Sequence, residues 1–82
     1  METIINNKKV TYRPGRIIVG FKKELEPETI KSIVVENGGV LEEIHKPNVA
    51  DIVVPSKDTL LVYNKFKNNP NIRFVSLDSS DF

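Results

Sequence analysis

Apolar residues run without alternation through Arg16-Ile17-Ile18-Val19-Gly20-Phe21-Lys22, which predicts a strand with apolar side chains on both faces. The period then changes. Ile30, Ile33 and Val34 recur at spacings of three and four, the mark of one helix face. That helix opens at Glu26-Pro27-Glu28, where proline suits the first turn and acids complement the positive helix end. Asn37-Gly38-Gly39 stops it. Residues 40–46 alternate as a second strand, with Val40, Glu42 and Ile44 on one side and Leu41, Glu43 and His45 on the other. Pro47-Asn48 is a turn signal, so residues 49–54 should return as the other half of a hairpin. Pro55-Ser56 starts a second helix, with Ser56 as N-cap and Asp58 in the first turn. Leu60, Tyr63 and Phe66 form its inner stripe, joined by Val62. Asn68-Asn69-Pro70 breaks it, and residues 71–77 form the last strand before a short polar tail.

Strand, helix, strand, strand, helix, strand is the order of an α+β, ferredoxin-like β-α-β-β-α-β sandwich: a four-stranded antiparallel sheet with two helices on one face. The other sheet face is then uncovered. Ile17/Ile18, Ile52/Val53 and Phe74/Val75 nevertheless put apolar residues at both parities of three strands. Such a sheet expects cover on both sides. The cover is a partner, a second copy, or the arm of residues 1–15, in which Ile4, Ile5, Val10 and Tyr12 could pair as an extra edge strand.

Eighty-two residues make one domain, and a core of this size supplies only roughly 3–5 kcal/mol. There is no cysteine to reinforce it by disulfide or thiolate metal site. A partner that binds only the folded form would therefore raise its stability substantially. Net charge is +1, so no one-signed field draws the chain to nucleic acid or an anionic membrane. No apolar run approaches a membrane span, and Met1 to Asn7 does not read as a secretory signal. If Met1 is the natural initiator, an intracellular or spore-associated parent is consistent with this; otherwise localisation is open.

No catalytic constellation is visible. His45 is the only histidine, and at a strand end before Pro47 it reads as a surface residue. Glu42 and Glu43 are adjacent in a strand and should point to opposite faces, which argues against a paired-carboxylate site. Gly38-Gly39 ends a helix and so cannot cradle a phosphate at a helix start. The element order is also that of RNA-recognition motifs, but residues 48–54 lack the aromatic stacking platforms and basic surround such binding needs. No cofactor or metal is expected.

Three stretches, Ile18-Val19-Gly20-Phe21-Lys22, Glu36-Asn37-Gly38-Gly39-Val40 and Asn69-Pro70-Asn71-Ile72-Arg73-Phe74-Val75, occur in the order and spacing of subtilisin propeptides. Over about residues 16 to 78 the chain resembles this inhibitor I9 type. The resemblance implies a non-catalytic segment that speeds folding of a subtilisin-like serine protease, is cleaved from it, and then blocks it. The open sheet face packs on two protease helices, which here brings in some of Ile18, Ile52, Val53, Phe74 and Val75, with either strand parity open to face the partner. Acidic residues after the last strand cap those helices; the matching positions are Ser76 and Asp78, with serine where the family more usually has a carboxylate. Ser79, Ser80, Asp81 and Phe82 would lie in the substrate cleft, Phe82 in the primary pocket. This tail looks about two residues shorter than in well-known members, by alignment through Asp78.

The expected organisation is an arm over residues 1–15, an inhibitor-like domain over 16–78 and a cleft-binding tail over 79–82. The partner is the mature protease, with no nucleic acid and no membrane. The alternatives are a dimeric small-molecule-sensing module of the same fold and a free-standing protease inhibitor.

Overall fold

The computed structural model describes residues 2–5 and 7–78. Two sheets form. Strands β1 (Glu2–Ile5) and β2 (Lys8–Thr11) make an N-terminal hairpin, and β3 (Arg16–Phe21), β4 (Val40–His45), β5 (Val49–Val53) and β6 (Ile72–Leu77) make the main sheet, in the order β4-β5-β3-β6. Every pairing in it is antiparallel. With α1 (Pro27–Glu36) between β3 and β4 and α2 (Thr59–Lys67) between β5 and β6, this is the predicted ferredoxin-like order.

The core lies between the sheet and the two helices. Ile17, Val19 and Phe21 of β3, Ala50 and Ile52 of β5, and Leu77 of β6 meet Ile30, Ile33 and Val34 of α1 and Val62, Tyr63 and Phe66 of α2. Phe21 and Phe66 pack edge to face with ring centroids 6.2 Å apart.

Helix α1 ends as its sequence predicts. Gly38 takes φ +89°, the Gly38 N–H donates to the Val35 carbonyl at 3.1 Å, and the Gly39 N–H donates to the Val34 carbonyl at 3.0 Å. These are the paired bonds of a glycine-terminated helix. Helix α2 starts differently from the expectation. Ser56–Asp58 form a 3₁₀ turn, α2 begins at Thr59, and neither Ser56 nor Asp58 caps it with a side chain. The buried Thr59 hydroxyl donates to the Ser56 carbonyl at 2.8 Å.

Strand β4 also departs from simple alternation. A bulge between Leu41 and Glu43 turns both Leu41 and Ile44 toward the core, so the predicted split of β4 into two faces holds only in part.

The arm neither joins the main sheet as an edge strand nor crosses its open face. Its hairpin stands beside α2, where Thr3, Ile4 and Ile5 line a small cleft with Leu60, Tyr63, Asn64 and Lys67. Tyr12 then enters the core, 4 % exposed.

Candidate functional site

The sheet face turned away from the helices is set by register. Ile18 lies opposite Asp51 on one side and Ser76 on the other; Gly20 lies opposite Val49 and Phe74; Arg16 lies opposite Val53, which faces Val40. Cross-strand partners share a face, so these residues form one surface. Val40 is 65 % exposed, Phe74 44 % and Val53 37 %, a patch that neither helix nor the arm covers.

Of the five residues expected there, Ile18, Val53 and Phe74 lie on this face. Ile52 and Val75 do not. Ile52 is fully buried opposite Ile17 and Leu41, and Val75 packs against the core. The period of two forces this: with Val53 and Phe74 outside, their neighbours must turn inward.

A bulge shapes the β6 edge of the face. Phe21 pairs with Ile72 and Gly20 with Phe74, leaving Arg73 between them without a partner in the ladder. Arg73 bends back across the strand ends. Its Nε donates to the Phe21 carbonyl and its Nη2 to the Pro47 carbonyl, each at 2.6 Å. The guanidinium carbon then stands 5.6 Å from the centroid of the Phe74 ring. The ring itself covers Gly20.

The β4 side of the face is charged. Arg16 Nη2 meets Glu42 Oε2 at 2.8 Å, so Glu42 reaches the strand that carries Ile18. The bulge exposes both Glu42 and Glu43, contrary to the expectation that they would face opposite ways. His45 Nε2 lies 2.8 Å from Asp51 Oδ2 and 3.7 Å from Glu43 Oε2. The hydrogen bond to Asp51 and the nearby Glu43 charge raise the His45 pKa above its ordinary value. Among the described residues these three are the one set whose donor atoms gather closely enough for a metal ion, all within 4.8 Å. Their mutual bonds already account for the arrangement.

At the far edge, Ser76 is exposed on the open face and its hydroxyl donates to the Leu77 carbonyl at 3.2 Å. Asp78 is half-buried just past β6, and its carbonyl accepts the Arg13 N–H at 2.7 Å. Ser79, Ser80, Asp81 and Phe82 lie outside the described residues.

Sequence reasoning missed Val40, Gly20 and Arg73. A glycine inside an apolar strand is a signal for close approach, and here the approaching group is Phe74. Nothing in the one-dimensional pattern marks Arg73 as the bulged residue.

The surface carries an apolar patch of Val40, Val53 and Phe74 beside the acidic Glu42, Glu43 and Asp51. A family described as the Fervidolysin N-terminal prodomain matches residues 1–78, arm included. No curated protein and no solved structure matches the chain.

Proposed function

Because the chain belongs to the Fervidolysin N-terminal prodomain family, the propeptides of subtilisin-like proteases, we propose that it assists folding of its protease and inhibits it after cleavage. The observation that carries this reading is the open face, where Ile18, Val53 and Phe74 form an apolar surface beside Ser76 and Asp78. In this reading the face packs against a pair of helices on the protease. Ser76 and Asp78 sit at its edge, where side-chain oxygens can accept hydrogen bonds from the free N–H groups at helix starts. Asp78 adds a charge that favours those positive ends.

Folding assistance follows from linkage. A surface that binds only folded protease lowers the free energy of the folded state, and by reciprocity the protease stabilises this small domain. Inhibition follows from the tail. Ser79, Ser80, Asp81 and Phe82 would add as a strand to the substrate cleft, gaining main-chain hydrogen bonds, with Phe82 in the primary specificity pocket. The docked sheet keeps the cleaved tail at high effective concentration, so the product stays bound.

The test is a titration of the purified chain against its mature cognate protease, with residues 79–82 present or removed. Potent inhibition that is lost on truncation supports the reading. Asp78→Ala should weaken inhibition, and an unchanged inhibition constant would remove the capping role. A folded, intact chain that leaves the protease fully active would sink the proposal. A defined dimer through the sheet would then favour the sensing module.

A further inference from the structure

The chain passes through a clasp over residues 12–15, beside the end of the last strand. Tyr12 is buried in the core at one end of the clasp. At the other end, the Gly15 N–H donates to Thr59 Oγ1 at 2.8 Å, and the Gly15 carbonyl accepts the Val54 N–H at 3.0 Å. Between these anchors the Arg13 N–H donates to the Asp78 carbonyl at 2.7 Å.

The position of that bond matters. β6 is paired with β3 only as far as Leu77, opposite Ile17. Asp78 is the first residue beyond the ladder, and the arm, not β3, takes hold of its backbone. A chain leaving a sheet edge without such a hold pivots about its last paired residue. An error in the direction of the backbone at Asp78 grows with every residue that follows it, since each extended residue adds about 3.3–3.6 Å.

Building on the proposed inhibitory function, we infer that the Arg13–Asp78 backbone hydrogen bond is a positioning contact that aims the C-terminal tail into the protease cleft. The arm is thus part of the inhibitory apparatus, although it lies on the helix side of the domain. Its contribution is to effective concentration: a tail held at its base in a productive direction loses less freedom on entering the cleft.

The experiment is a double-mutant cycle on inhibition of the mature cognate protease. Arg13→Pro removes the N–H, and Arg13→Ala removes the side chain but keeps the N–H. Each is made in the full chain and in a chain lacking residues 79–82. Arg13→Pro should weaken inhibition by the full chain about three- to tenfold, the worth of one hydrogen bond. Arg13→Ala should leave it unchanged, and neither should alter whatever inhibition the truncated chain retains. Equal effects of Arg13→Pro on full and truncated chains would show a general structural role and overturn the inference. So would no effect on a full chain that inhibits well. If the unsubstituted chain does not inhibit at all, the functional reading itself fails, a distinct result. Should Arg13→Pro fail to fold, amide exchange of the unsubstituted complex decides: slow exchange at Arg13 supports the contact, and unprotected exchange overturns it.

Discussion

The ring of Phe74 occupies the space over Gly20 in which the β-carbon of any other residue would stand. The two are cross-strand partners on the open face, and the Arg73 guanidinium stands over the ring, 5.6 Å from the centroid. The absence of one methyl group therefore keeps a large aromatic ring against the sheet. Gly20→Ala should expel the ring toward solvent and lower stability by less than about 1 kcal/mol, because the clash is with a half-exposed side chain that can swing outward. Denaturant unfolding reads the loss, and a Phe74 ring signal unchanged in proton NMR would contradict the displacement.

Phe74 and Ile52 are both apolar residues of the main sheet, yet they should respond oppositely to truncation. Phe74 is 44 % exposed and Ile52 fully buried. Phe74→Ala should cost the free domain less than about 1 kcal/mol, but weaken protease inhibition tenfold or more if the ring is a docking anchor. Ile52→Ala should cost about 2–5 kcal/mol of stability through the cavity it leaves. Parallel unfolding and inhibition measurements separate the two. A Phe74→Ala chain that inhibits normally would remove Phe74 from the docking surface.

Much of this architecture was legible in the sequence because each element has its own period and its own punctuation. Pro27 at the start of α1 and Gly38 after its end bracket a helix whose Ile30, Ile33 and Val34 are all buried, as their spacing requires. Where two apolar residues stand side by side, as in Ile52-Val53 and Phe74-Val75, period alone cannot say which faces inward. Register decides, and register is a property of the partner strands. The two bulges were hidden for the same reason. One lets Leu41 and Ile44 share the inner face, and the other frees Arg73 to bridge the Phe21 and Pro47 carbonyls. The start of α2 is not legible because Ser56 has good capping chemistry, whereas residues 56–58 take a 3₁₀ turn and Thr59 accepts the Gly15 N–H from far along the chain.

Thr59 is buried, 1 % exposed, and its hydroxyl joins distant parts of the chain. It accepts the Gly15 N–H at 2.8 Å and donates to the Ser56 carbonyl at 2.8 Å. Thr59→Val keeps the shape but strands the Gly15 N–H, while the Ser56 carbonyl keeps the backbone N–H of residue 59. The expected loss is about 1–3 kcal/mol, the penalty for a buried polar group left unsatisfied. Thr59→Ser, which keeps the hydroxyl, should restore part of it. Thermal unfolding of the three chains checks this, and Thr59→Val as stable as the parent would show that the hydroxyl contacts contribute nothing net.

His45 gives the domain a pH dependence whose sign is fixed by its neighbours. Asp51, hydrogen-bonded at 2.8 Å, and then Glu43 favour the charged ring, so its folded pKa lies above the ordinary 6.5. A group that binds its proton more tightly when folded stabilises the fold fully below its unfolded pKa. That contribution is lost as pH rises through the folded pKa, when the ring becomes neutral and Glu43 and Asp51, cross-strand partners, face each other without a cation between them. Stability should therefore fall as pH rises from the ordinary 6.5 through the raised folded pKa, and more steeply at low salt because the group is exposed. His45→Gln should flatten this slope, while Asp51→Asn should bring the His45 titration, followed by NMR, back toward its ordinary value. A His45 that titrates at or below that value in the folded chain would show that the Asp51 contact does not persist in solution.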